Sequence, residues 1–132
     1  MKKLFISVPM KGRTEENIRT SIEKMHKIAE TIFNKELEVI PSYIDDKPPK
    51  NSNEEIWYLG RSIQLMSEAD YFIGTHICGR QYGGCRIEFM VANDYNIPML
   101  VIGEEEARYI MPDLFETSIT DADIDESYIT AN

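Results

Sequence analysis

Residues 71–103, YFIGTHICGRQYGGCRIEFMVANDYNIPMLVIG, decide the fold. YFIGT is a short apolar run between Asp70 and the glycine-rich turn HICGRQYGG, and it predicts a buried strand. Behind the turn, Ile87, Val91 and Ala92 share one helical face, which predicts a helix over about residues 84–95, ended by Asn96. Pro98 then opens a second apolar strand, MLVIG. Two short, wholly apolar strands joined through an amphipathic helix form a parallel crossover unit.

The same alternation extends to both sides. KLFISV, residues 3–8, is an apolar strand stopped by Pro9. MKGR follows as a loop, and Thr14 can cap a helix with Glu15 and Glu16 in its first turn. Ile18, Ile22, Met25, Ala29, Ile32 and Phe33 recur at steps of three and four, an amphipathic helix of about five turns. Leu37, Val39 and Ile40 make a strand that Pro41 stops. PSYIDDKPPKNSN, residues 41–53, is a proline-rich loop whose Ser52 or Asn53 caps the next helix. That helix buries Ile56, Trp57, Ile63, Leu65 and Met66, and its Gly60 either weakens it or allows close packing. Glu104–Glu106 start a fourth helix that Pro112 interrupts. Four strand–helix repeats predict an α/β domain with a parallel sheet covered by helices on both faces, three layers in all. We assign residues 1–112 to this domain, and residues 113–132 to an acidic segment forming an edge strand (Thr117–Thr120) or an ordered tail.

At 132 residues with 42% hydrophobic and 28% charged, the chain suits one domain whose core needs no disulfide or metal. Its two cysteines, Cys78 and Cys85, have neither zinc-ligand nor disulfide-framework spacing, so a reduced, cytoplasmic setting is expected. The apolar run in MKKLFISVPMKG is too short for a leader, and no run approaches the ~20 residues of a membrane span. The net charge is −9, and residues 104–132 hold nine acids against Arg108 alone. Such a field disfavours long nucleic acids and anionic membranes, but not a small phosphorylated substrate held by local donors.

Parallel sheets bind ligands beyond the carboxyl ends of their strands. That places attention on the loop after strand 1, the end of strand 3 and the start of helix 3. Glu88 is the sharpest candidate, a carboxylate among Cys85, Ile87, Phe89, Val91 and Ala92, behind Gly83 and Gly84. Nearby helix amides would keep it ionised, and an ionised carboxylate beside a sugar carbon is a suitable covalent nucleophile. The turn offers Arg80 and Arg86 as donors, Tyr82 as a stacking ring, and two glycines for close backbone approach. Ser7 is polar inside an apolar strand, and Lys11, Gly12 and Arg13 follow as a second donor cluster. Asp70 falls at the amino end of strand 3, where it can cap a turn. His76, Cys78 and Cys85 match no zinc pattern, and Asp121, Asp123 and Asp125 lack the glycine and glutamate of a calcium loop. No metal and no cofactor is expected.

LFISVPMKGR, LMSEADYFIGT and GGCRIEFMVANDYNIPMLVI, in this order and spacing, resemble the nucleoside 2-deoxyribosyltransferase-like superfamily, including 2′-deoxynucleoside 5′-phosphate N-hydrolases, over residues 3–103. The resemblance implies a flavodoxin-like or Rossmann-like sheet in homodimers or larger assemblies. It implies that Glu88 attacks the anomeric carbon of a small nucleoside or nucleoside 5′-monophosphate, with Asp70 assisting departure of the base. Ser7, Pro9, Met10, Lys11, Gly12 and Arg13 would line the base or sugar pocket, and Gly83, Gly84 and Arg86 would hold a 5′-phosphate. Water as acceptor gives a hydrolase, the favoured reading given Lys11, Arg13, Arg80 and Arg86 near the rim; a second base gives a transferase. The first loop, SVPMKGR, lacks the tyrosine or serine–glycine pattern of the well-defined enzymes, and Tyr82 and Cys85 stand where a polar phosphate ligand is expected. The alternative is a non-catalytic nucleotide-binding or sensing module. A pairing surface on the second helix would involve Trp57, Tyr58 and Met66.

Overall fold

The computed structural model describes residues 1–41, 44, 46–75 and 82–116. Its elements are β1 (Lys2–Ile6), α1 (Glu15–Phe33), β2 (Leu37–Val39), α2 (Glu54–Met66), β3 (Tyr71–Thr75), α3 (Gly83–Asp94), β4 (Met99–Ile102), α4 (Glu104–Ile110) and α5 (Asp113–Glu116). The strands form one parallel sheet in the order β2-β1-β3-β4. This is a three-layer α/β fold of flavodoxin or Rossmann type, as the strand–helix alternation predicts.

Alternation along β1 shows how the layers assemble. Leu4 and Ile6 face one side and pack with Ile18, Met25 and Ala29 of α1 and with Ile110 at the end of α4. Phe5 faces the other and packs with Met66 of α2, Ala92 of α3 and Phe72 of β3. The Phe5 and Phe72 rings stack at 5.9 Å. Central strands buried on both faces must be apolar at every position, so they read as continuous runs rather than alternating ones. The chain leaves β1 through α1 toward β2, then returns through α2 on the opposite face to β3. β1 is thus the strand at which the order reverses, and its carboxyl end lies at the switch point.

Local signals set the element ends. Thr14 caps α1, its side chain accepting from the Asn17 amide, and Asn34 ends the helix in the left-handed region. Asn53, rather than Ser52, caps α2 through the Ile56 amide. Asn96, at φ 61°, turns the chain from α3 toward β4. A methyl group added at Gly60 would meet nothing within 4 Å, so close packing is not what places glycine there.

One of the three residues expected on a pairing surface of α2 is corrected. Met66 is 1% exposed and belongs to the core beneath the helix. Tyr58 borders a cleft instead, its ring edge-on to Trp57. These three residues therefore do not make one exposed patch. At the other end of the chain, α5 is tied to the domain, with Leu114 packing on the α1-side core. The segment Thr117–Thr120 and the acids beyond it lie outside the described residues. Among the described residues no helix is long and apolar enough to cross a membrane.

Candidate functional site

Two separate elements bring hydroxyl groups to Glu88. Ser7 follows β1, and its backbone N–H donates to Ile73 O at 2.9 Å, extending the β1–β3 ladder by one residue. That bond fixes where its hydroxyl points. Ser7 Oγ donates to Glu88 Oε1 at 2.7 Å, across 81 residues of sequence. The Ser62 hydroxyl of α2 also approaches Glu88 and favours its charged form. Gly74 keeps the neighbouring strand flat: a Cβ there would come within 2.8 Å of the Phe72 ring and 3.6 Å of Ser7 Cβ.

Glu88 is only 9% exposed. Burial raises its pKa above the ordinary carboxylate value, and the two serine hydroxyls pull in the opposite direction without cancelling the shift. This differs from the expected dominance of the helix amides. Glu88 is the sixth residue of α3, beyond the first turn where the dipole acts, so desolvation prevails. No base among the described residues forms an ion pair with it.

Glu88 borders an open cleft of about 1240 Å³ at the carboxyl end of β1, where the strand order reverses. Val8, Pro9, Met10 and Lys11 form one wall, and Tyr82, Gly83, Gly84 and Cys85 form another. Tyr58, Leu59 and Ser62 of α2 close the third side. The Tyr82 hydroxyl has its pKa raised, chiefly by burial, so it holds its proton more firmly than a solvated phenol. The amino end of α3 has no side-chain cap and no acid in its first turn.

The structure brings together Ser7, Pro9, Met10, Lys11, Tyr82, Gly83, Gly84 and Glu88. It separates the others. Asp70 sits at the amino end of β3, its carboxylate accepting from the Lys3 amide at 2.8 Å while its own amide donates to Lys3 O at 2.9 Å. It ties the amino ends of β1 and β3 together, at the opposite end of the strands from the cleft, and its recorded bonds are to Lys3 of β1 rather than to a turn.

Arg13 points away from the cleft. Its side chain is 1% exposed and clamps Asp113 through Nε at 2.8 Å and Nη2 at 2.9 Å. Pro9 O, Asn17 O and Ser21 Oγ take further bonds from the same guanidinium. Its donors are committed to joining the β1 loop, α1 and α5. Gly12 has φ 76° and serves the turn, away from the cleft lining. Arg86 is exposed in the first turn of α3 and is not among the cleft-lining residues, although its Nη2 comes to 4.0 Å from where a Cβ on Gly83 would stand. Lys11 reaches the rim, 3.8 Å from Glu55. Arg80, His76 and Cys78 lie outside the described residues.

Ser62 is the residue that sequence reasoning missed. Its signal was available: Leu59, Ser62 and Met66 step along one face of α2 at helical spacing, so Ser62 interrupts an apolar stripe just as Ser7 interrupts an apolar strand. Among the described residues, no group of three or more His, Cys, Asp or Glu side chains could hold a metal ion. Comparison with protein-family models, with curated proteins and with solved structures yields no match.

Proposed function

We propose that this cleft cleaves or transfers the N-glycosidic bond of a small nucleoside or nucleoside 5′-monophosphate, with Glu88 as the covalent nucleophile and water as the favoured acceptor. The observation that carries this reading is the buried Glu88 carboxylate, oriented by the Ser7 and Ser62 hydroxyls at the edge of a cleft over the strand switch point. Two hydroxyl donors stabilise the ionised form and fix its direction, which a nucleophile requires. The resemblance to nucleoside 2-deoxyribosyltransferase-like proteins points to the same glutamate and a homo-oligomer, and sedimentation reads the oligomeric state.

The placement of the bases narrows the phosphate part of the proposal. Arg13 is committed elsewhere, and Arg86 is exposed beside Gly83 without lining the cleft. A 5′-phosphate would therefore rest on the uncapped amides at the start of α3, where Gly83 and Gly84 permit close approach. Arg86 Nη2 lies 4.0 Å from where a Cβ on Gly83 would stand, so Arg86→Ala should weaken a 5′-monophosphate more than its nucleoside.

The test is base release, followed by chromatography, from ribo- and deoxyribonucleosides and their 5′-monophosphates, with and without a second free base. Glu88→Gln should lower the rate by at least about 10³-fold. Mass spectrometry of rapidly quenched wild type should show the enzyme carrying one sugar. A nucleophile must be ionised, so activity should fall as pH drops through the raised Glu88 pKa. Tight binding of an unaltered nucleotide without turnover would instead establish the binding-module alternative.

A further inference from the structure

Gly74 lies in the interior of a central strand. β3 runs between β1 and β4, and Phe72, Ile73, Gly74 and Thr75 are all buried. Glycine weakens a strand interior and packs no side chain there, so its presence marks the close approach of another group. Two side chains make that approach. A methyl group on Gly74 would stand 2.8 Å from Phe72 Cε1 and 3.1 Å from Phe72 Cζ, closer than non-bonded carbons settle. It would also touch Ser7 Cβ at 3.6 Å, an ordinary contact.

The Phe72 ring has little room to retreat. It is fully buried, stacks on Phe5 with the two planes 8° apart, and belongs to the cluster of Met66 and Ala92. Close-packed interiors answer an added methyl with off-rotamer side chains and backbone shifts. The backbone concerned is the one that holds Ser7. The Ser7 N–H donates to Ile73 O, one residue before Gly74, at 2.9 Å. Ser7 is itself buried, and its hydroxyl donates to Glu88 Oε1 at 2.7 Å. A short bond to a carboxylate weakens steeply once its length or angle changes. A shift of β3 at residue 74 is therefore passed to the bond between Ser7 and Glu88.

The structure assigns Gly74 the part of a positioning residue, which seats the Ser7 hydroxyl on Glu88 with the stacked Phe5 and Phe72 rings as the fixed platform. This rests on the reading of Glu88 as the working carboxylate of the cleft. Gly74 acts through Ser7 alone and needs no contact with substrate. The Ser7 bond favours the charged form of Glu88, so a seat disturbed at Gly74 raises the pH at which Glu88 ionises. A role in packing alone would lower stability and leave that pH where it is.

The experiment follows the Glu88 carboxyl carbon by NMR of the full chain labelled with ¹³C-glutamate, titrated from pH 4 to pH 8, beside the pH profile of base release. The signal absent in Glu88→Gln identifies the resonance. Ser7→Ala sets the scale, because it removes the bond outright. Gly74→Ala should move the Glu88 midpoint upward by at least about half the Ser7→Ala displacement, and the acid limb of activity with it. Ser7→Ala combined with Gly74→Ala should titrate like Ser7→Ala alone, since both changes act on one bond. Phe72→Leu added to Gly74→Ala frees the space the methyl needs and should bring the midpoint back toward wild type. Where Gly74→Ala needs support to fold, Gly60→Ala and sucrose supply it without touching β3, and the same readings apply. An unmoved midpoint in folded Gly74→Ala, with only the melting temperature lowered, would overturn the inference. So would displacements that add in the double variant. Midpoints that move as expected in a protein that releases no base would overturn the glycosidic reading and leave the positioning role standing.

Discussion

Arg13 and Glu88 are both buried ionisable side chains reached through the loop after β1, and the protein treats them in opposite ways. Arg13 is surrounded by acceptors and paired in two places with Asp113, whose carboxyl it holds below the usual carboxylate range. Glu88 has two hydroxyls, no ion-pair partner among the described residues, and a pKa that burial pushes up. The first arrangement stabilises the fold. The second opposes folding whenever the carboxylate is ionised, so its presence needs a reason other than stability. The Arg13 clamp holds the wall of the cleft, while Glu88 keeps its reactivity inside it.

The largest stability effect should come from breaking the satisfied site. Asp113→Ala leaves a buried guanidinium without its carboxylate and should cost about 3 kcal/mol, measured by urea denaturation. The lowered Asp113 pKa stabilises the fold above the ordinary carboxylate value, and this contribution is lost as pH falls through the folded-state pKa. The variant should therefore lose the matching part of its acid sensitivity.

Glu88→Gln should have the opposite sign. A raised folded-state pKa contributes stability that is fully present below the unfolded value and lost as pH rises through the folded one. The variant should thus gain on wild type as pH increases, while losing turnover. A melting temperature that fell in parallel with wild type from pH 4 to pH 8 would remove the contrast with Arg13.

Ser7→Ala sharpens the same comparison. It deletes a hydrogen bond to a charged acceptor and should destabilise by about 1.5 kcal/mol at pH 8, less at pH 4, and move the acid limb of activity to higher pH. Gly60→Ala is the smallest change and the control. The space around Gly60 is open, so alanine should stabilise α2 by about 0.5–1 kcal/mol at every pH.

How much of this was legible follows from sequence distance. The strands were legible because Leu4–Ile6 and Tyr71–Ile73 are unbroken apolar runs in the two central strands, and α1 because Thr14 and the Ile18–Phe33 stripe mark its start and its face. Glu88 and Ser7 stood out because each is polar where its neighbours are apolar. The partner of Arg13 lies 100 residues away, and nothing near Arg13 announces it. Spacing alone likewise made Arg13, Arg86 and Lys11 look convergent, although a loop and a helix direct them to three different places. Asp70 was legible as lying at the amino end of β3, away from the cleft, but not as the partner of Lys3, which lies 67 residues away, and only the resemblance drew it toward the site.

The strand order has a consequence for synthesis. β1 emerges from the ribosome first, yet its neighbour β3 and the residues that cover Phe5 (Met66, Phe72 and Ala92) come from the second half of the domain. Until then the nascent chain carries β1 with one unpaired edge and one uncovered aromatic face, the features that recruit chaperones or seed aggregation. Pausing translation before residue 71 should prolong that state.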